Sequence, residues 1–264
     1  MIAAKTAREL GPLIVAYLAV MQAILVPAIV LWPDLHEAAK QLWPIVWATK
    51  SIKSELFRQI IGSATDYRSY FALQVFFKGA NVCGAAAAIL LGTGLIARER
   101  ESHSFEFLVT RPIGRAAILR SKFAVAAVGL MAPVYLVAWS GIPLSRWLVG
   151  EAVPFGTTTL AATHSAVFLL TILALTTVCS TAFRVQAHAA AAAGGFVVLQ
   201  TALYLIQTVR KYSFFALSDI EVYGPILAGR TSFGPLFLTY HVWLLLGAAV
   251  LYGVADQLLR RATP

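Results

Sequence analysis

Six apolar stretches, each long enough to cross a membrane and each bounded by charge, constrain this chain more than any other feature. They run near Pro12–Leu31, Gly79–Ala97, Phe123–Ile142, Thr158–Phe183, Ala187–Gln207 and Leu236–Ala255, the second with an apolar approach from Tyr70. A helix needs about 20 such residues to traverse about 30 Å of hydrocarbon. The sequence therefore predicts an all-α membrane protein with six transmembrane helices, built as a single transmembrane domain over residues 1–264. Composition agrees: 59% of the residues are hydrophobic and 12% charged, where soluble domains carry roughly 25% charged residues. The first stretch is too long for a signal-peptide core, and no small-x-small cleavage site follows it before Trp32-Pro33. It reads as an uncleaved span.

The net charge of +9 would suggest nucleic acid in a soluble protein. Here the basic residues are scattered over span ends and loops, which is the pattern of membrane topology, so no nucleic-acid partner is expected. Lys and Arg close to span ends are retained on the inner side. Lys5, Arg8, Arg184, Arg260 and Arg261 crowd span ends on one side, together with Arg98, Arg100, Arg111, Arg115, Arg120 and Lys122 of the loop after span 2. The positives of the other side lie mostly in two long loops. Both termini are then expected to be cytoplasmic, in the cell's inner (plasma) membrane, with Met1–Leu10 lying flat on the inner leaflet. The first outer loop, about Trp32–Ser69, carries apolar residues near helical spacing and reads as one or two amphipathic surface helices. In the last, Thr208–Pro235, the pairs Gly224-Pro225 and Gly234-Pro235 read as turns, and Phe214, Phe215, Ile226 and Leu227 should bring the loop back into the interface.

Little in the chain suggests catalysis. The cysteines, Cys83 and Cys179, lie inside apolar stretches with no zinc or redox spacing. The histidines, His36, His103, His164, His188 and His241, form no His-x-x-x-His or Glu-x-x-His pair, and packing explains them best. No metal site is expected. Phosphate-loop spacing is absent, so no nucleotide-binding domain is expected here and any linked ATP hydrolysis belongs to another chain. Lys78 reads as a residue snorkelling to the outer headgroups. Asp256 and Arg260 have the spacing of a helix-end ion pair. Uncharged polar residues within spans are more informative: Asn81 in span 2, and Gln200, Tyr204 and Gln207, which at i, i+4 and i+7 share one helical face of span 5. They are the candidate lining of a path; ordinary interhelical hydrogen bonding is the alternative.

The segment Ala97–Lys122 is a dense run of charge in an otherwise oily chain. Its carboxylates Glu99, Glu101 and Glu106 and its aromatics Phe105 and Phe107 suit a short amphipathic helix at the membrane surface that faces a soluble partner. Pro112 would end such a helix and Gly114 would let the chain reverse. Glu99, Glu101, Ser104, Glu106, Leu108, Pro112, Arg115, Ile118-Leu119 and Lys122 together resemble the hallmark of type-2 ATP-binding-cassette exporter permeases. His103-Ser104 stands where Gly-Thr is common, and Gly114 where Ser is common. The turn Ser180–Arg184 resembles the family more weakly.

The resemblance implies a permease subunit of an ATP-driven exporter, working as a homodimer or with a related permease among membrane lipids. Its coupling helix, between spans 2 and 3, would dock in a groove of a separate nucleotide-binding ATPase subunit. Charged residues there would set register, Phe105, Phe107 and Leu108 would be buried anchors, and Arg115, Arg120 and Lys122 would hold span 3 among the lipid phosphates. The chain itself would take no cofactor; ATP and Mg would sit on the partner ATPase. Spans 2 and 5 would face the partner permease around a central cavity. A non-transport membrane anchor or assembly subunit, and an intramembrane enzyme, are the other readings of such a chain.

Overall fold

The structure, a computed structural model, describes residues 2–48, 61–102, 104 and 114–261. Its main helices are α1 (Ile2–Val30), α2 (Trp32–Ala48), α3 (Tyr67–Glu101), α4 (Arg115–Val149), α5 (Phe155–Ala182), α6 (Gln186–Leu205), α7 (Ile220–Leu227) and α8 (Phe233–Arg261). Every regular element among the described residues is helical. Six helices, α1, α3, α4, α5, α6 and α8, are long and apolar enough to cross a membrane. The protein is an all-α, multi-pass membrane protein. Six spans return the chain to the side on which it began. Lys5 near the start of α1 lies 3.6 Å from Glu99 at the end of α3, and Arg115 at the start of α4 donates to the Leu259 carbonyl of α8 at 3.3 Å. These contacts define the terminal end of the bundle; the loops after α1, α4 and α6 form the far end.

The helices overrun the apolar stretches. Residues 2–10 do not form a separate surface segment but are the first turns of α1. Nothing between Ile2 and Pro12 breaks a helix, and Pro12 blocks only the bond to the Arg8 carbonyl, a loss that membrane helices tolerate. The buried side of α1 is one stripe, Thr6, Leu10, Tyr17, Met21, Leu25 and Ile29, which packs along α4 and α3.

α5 is the central helix, touching α3, α4, α6 and α8, and it buries residues around most of its circumference, among them Ala161, His164, Phe168, Leu169, Leu173, Thr176 and Ser180. A helix apolar all round belongs in the interior. Its seam with α3 depends on Gly92, where an added Cβ would stand 1.8 Å from Thr176 Oγ1. Small residues at such a seam let two backbones close on each other, which is what drives helix association in lipid.

At the far end, Gly150 takes φ +73° to close α4. Trp32, Tyr67 and Tyr70 pack as an aromatic cluster, and the Tyr70 hydroxyl donates to the Ala28 carbonyl at 2.8 Å. The segment after α6 dips into the bundle: α7 buries Tyr223, Ile226 and Leu227 completely and touches α3 and α5. Neither Gly-Pro pair is a turn. Pro225 lies inside α7 and Pro235 in the first turn of α8, where no N–H donor is required. The reversal falls instead at Gly229, with φ +71°.

Two spans depart from α geometry. α3 runs as π-helix over Ala72–Cys83, and α8 over Phe237–His241. Such wide turns are rare and concentrate at functional sites. Each holds one of the buried polar residues described next.

Candidate functional site

At the terminal end, α3 turns after Thr93 and resumes as the short helix Ala97–Glu101, the start of the charged segment. A turn inside a membrane bundle frees backbone groups that must find partners. Here two neighbouring spans supply them. Ser180 Oγ of α5 accepts from the Ile96 and Ala97 amides at 3.0 Å each and donates to the Thr93 carbonyl at 2.7 Å. Lys122 Nζ of α4 donates to the Leu95 carbonyl at 2.9 Å. From the segment itself, Arg100 donates to the Thr181 carbonyl at 2.7 Å, and Glu101 Oε2 accepts from the Gln186 amide, the first of α6, at 3.0 Å. A carboxylate at a helix N-terminus is favourably placed.

Lys122 also pairs with Glu99 at 2.5 Å, and both residues are buried. A buried pair is costly to desolvate, and losing either member strands the other charge. Two sequence-based roles change accordingly. Glu99 does not present itself to a docking partner, since it faces α4 and α1. Lys122 does not reach the lipid phosphates, since it closes the α3 turn from inside. Glu101 and Ser102 are exposed and Ser104 is half-buried; Ser102 and Ser104 bring their hydroxyls within 2.9 Å of each other. Arg115 tethers α4 to the Leu259 and Arg260 carbonyls. Phe105, Glu106, Leu108 and Pro112 lie outside the described residues. Asp256 and Arg260 form the expected i, i+4 pair at 2.8 Å.

At the far end the candidate path residues meet the segment that dips back. Asn81 is fully buried. Its Nδ2 donates to the Ser218 carbonyl at 2.6 Å and to Ser218 Oγ at 3.0 Å, and its Oδ1 accepts from the Tyr223 hydroxyl at 3.1 Å. Tyr223 is in turn 2.6 Å from both Ser165 Oγ and Ser218 Oγ. Burial pushes the Tyr223 phenol up to about 12, its hydrogen bonds pulling the other way, so it remains a neutral donor at physiological pH. The Tyr204 hydroxyl binds Asp219 Oδ1 at 2.5 Å. Arg210 closes an ion pair with Asp219 and stacks over the Tyr204 ring at 4.7 Å. Gln200 Oε1 accepts from the Phe214 amide at 2.8 Å.

Three of the four candidates thus fasten the segment Ser213–Tyr223. The shared face of span 5 holds for Gln200 and Tyr204 only. α6 ends at Leu205, Ile206 is extended (φ −91°, ψ 111°), and Gln207 lies beyond it, exposed. One pairing was invisible in the sequence: His164 Nδ1 and His241 Nε2 stand 3.2 Å apart, buried and stacked. His164 Nε2 contacts the Leu217 carbonyl at 3.0 Å, an acceptor only, so that nitrogen carries the proton and Nδ1 accepts from His241.

The family model described as ABC-2 family transporter protein matches residues 11–212. The chain belongs to the ABC-2 family of transporter proteins. It is a permease component of an ABC transporter, as the charged segment suggested. The match runs from Gly11 of α1 through α6, taking in the α3 turn with Lys122, Ser180 and Gln186, and stops before α7 and α8. No curated protein matches the chain.

Proposed function

We propose that this ABC-2 permease is the membrane half of an ATP-driven exporter in the cell's inner (plasma) membrane. Its terminal end is cytoplasmic, and it pairs with a second copy of itself or a related permease. A separate ABC ATPase subunit holds ATP and Mg and docks on the segment that begins at Ala97; this chain has no ATPase site or cofactor of its own. One observation carries the reading. The Ala97–Glu101 helix is hydrogen-bonded to α5 and α6, and the turn before it to α4 and α5, so a displacement of the docked segment is delivered to the spans rather than absorbed in a loop. We assign the path to the far end of α6, with Gln200 on the helix and Gln207 just beyond it. Asn81 and Tyr204 stand behind it as ties on the inserted segment.

The docking test is Glu101→Lys and Phe105→Ala. Both variants should insert and fold while binding the ATPase less well. Truncating a buried aromatic anchor costs about 2 kcal/mol or more, roughly thirtyfold in affinity. Variants that co-purify with the ATPase and stimulate it as the wild type does would reduce the segment to a topological anchor. Orientation is tested separately. In a background lacking Cys83 and Cys179, Ser102→Cys and Lys53→Cys should label from opposite sides of intact cells; labelling of both from outside sinks the cytoplasmic assignment.

A further inference from the structure

The terminal end holds a cleft on the α1 side of the docking segment, sharing Arg98, Glu99, Ser102 and Ser104 with it. It has a volume of about 270 Å³ and lies between α1 and the end of α3, with Lys122 and Gln186 at its edges. Its walls divide by depth. Pro12, Leu13 and Leu90 line the side toward the bundle centre, and Lys5, Arg98 and Ser102 the side toward the chain ends. That division matches the boundary between hydrocarbon and headgroups.

The charges of the cleft almost cancel. Lys122 neutralises Glu99, and Lys5 lies 3.6 Å from Glu9 and from Glu99. Arg98 is left over: it is exposed and has no ion-pair partner among the described residues. One acceptor is left over too. Glu99 Oε2 is buried without a hydrogen-bond partner among the described residues, although its carboxylate is already charge-compensated. The surplus is one cation at the rim and one acceptor in the wall, with the hydroxyls of Ser102 and Ser104 beside them.

We propose that this cleft binds the headgroup of an anionic, hydroxyl-bearing phospholipid of the phosphatidylglycerol type. The phosphodiester, a single negative charge, would meet Arg98 and the serine hydroxyls. A headgroup hydroxyl would donate to Glu99 Oε2. The acyl chains would leave over Pro12 and Leu90, which are exposed on the bundle surface. A zwitterionic amine headgroup fits less well, because its ammonium would restore the surplus positive charge that the phosphate removes. The inner leaflet as the source of this lipid rests on the cytoplasmic assignment above, but binding itself does not, so the two stand or fall separately.

The test is lipid retention by the intact permease–ATPase complex, taken from phosphatidylcholine nanodiscs doped with phosphatidylglycerol and read by native mass spectrometry after detergent exchange. Wild type should keep phosphatidylglycerol and release phosphatidylcholine. Arg98→Ala should lower that retention about tenfold, as expected for one charge-assisted contact, and Arg98→Lys should keep most of it. Arg184→Ala, an exposed cation outside the cleft, should change nothing. Equal retention of the two lipids by wild type overturns the proposal, as does an Arg98→Ala variant that retains lipid normally or an Arg184→Ala variant that loses as much. Displacement of the bound species by free glycerol 3-phosphate would assign the cleft to a soluble phosphate and overturn the lipid.

Discussion

Replacing Tyr223 by Phe removes one oxygen atom and tests whether the far-end network holds the inserted segment. The tyrosine has one proton, and Asn81 Oδ1 receives it. Ser165 and Ser218, each 2.6 Å away, must therefore donate to the tyrosine's lone pairs. The phenylalanine ring keeps its stack on Phe76, at 5.4 Å, so apolar packing changes little. The two serine hydroxyls can turn to carbonyls of the preceding turn. Asn81 Oδ1 has no such freedom, because both Nδ2 contacts fix the amide plane. A merely weakened interhelical bond averages about 0.6 kcal/mol in membranes, whereas a stranded buried acceptor costs about 1–3 kcal/mol. At roughly 2–4 °C per kcal/mol for a chain of this size, the variant should melt roughly 2–12 °C below wild type. The assay is thermal unfolding of the purified permease, followed by size-exclusion of the surviving fold. Asn81→Leu alone strands the tyrosine proton instead. The double variant removes both ends and should lose less than the sum of the singles. A Tyr223→Phe protein that melts with the wild type, or strict additivity in the cycle, would falsify the view that this network holds the segment.

Lys122→Met should destabilise by up to about 3–5 kcal/mol, because buried Glu99 is left with only the exposed Lys5, 3.6 Å away, and Lys122→Met with Glu99→Leu should recover most of the loss; the same melting assay reads both. Gly92→Ala forces a methyl onto Thr176 Oγ1 and to 2.7 Å from its Cβ and should cost about 1–3 kcal/mol, with partial rescue by Thr176→Ala, which removes Oγ1 only, if the contact at the α3–α5 seam is the cause. Ser180→Ala strands the Ile96 and Ala97 amides, each costing about 1–3 kcal/mol. It should depress transport-coupled ATPase stimulation at temperatures where the variant remains folded; full stimulation would show that the turn is not needed for coupling.

The spans were legible because twenty apolar residues in a row leave a chain few options. What escaped was anything that depends on which way a helix faces. Lys122 stands at a span end, where snorkelling is the usual reading, but its helical phase turns it inward against Glu99. Asn81 was recognised as a polar residue needing a partner, yet its partners belong to a loop segment 137 positions away, and the π turns around it defeat a periodicity of 3.6. The His164–His241 pair spans 77 positions, so neither residue has a neighbour in sequence to announce it. Gly224-Pro225 and Gly234-Pro235 carry turn chemistry, but proline disturbs a helix only through its missing donor and its clash with the carbonyl four residues back. The start of α8 needs no donor there, and a short packed helix such as α7 absorbs the loss.

The two polar clusters are linked by one helix. Asn81 and Glu99 both belong to α3; the regular helix Gly84–Thr93 between them alone spans about 14 Å at about 1.5 Å per residue. Between them α3 is among the most buried of the spans and offers α5 the Gly92 seam, so it cannot move without its neighbour. At the terminal end Ser180 of α5 closes the turn of α3; at the far end His164 and Ser165 of α5 hold the same inserted segment that Asn81 of α3 holds. Under the proposed docking role, a force entering at Ala97–Glu101 would meet a two-helix unit bound at both ends by hydrogen bonds, with the π turns of Ala72–Cys83 at its far end. Those π turns carry Asn81, one of the ties on the inserted segment. In that role, movement of the docked segment would reach the far end through α3 and α5 at the inserted segment, which Gln200 and Tyr204 also tie to α6.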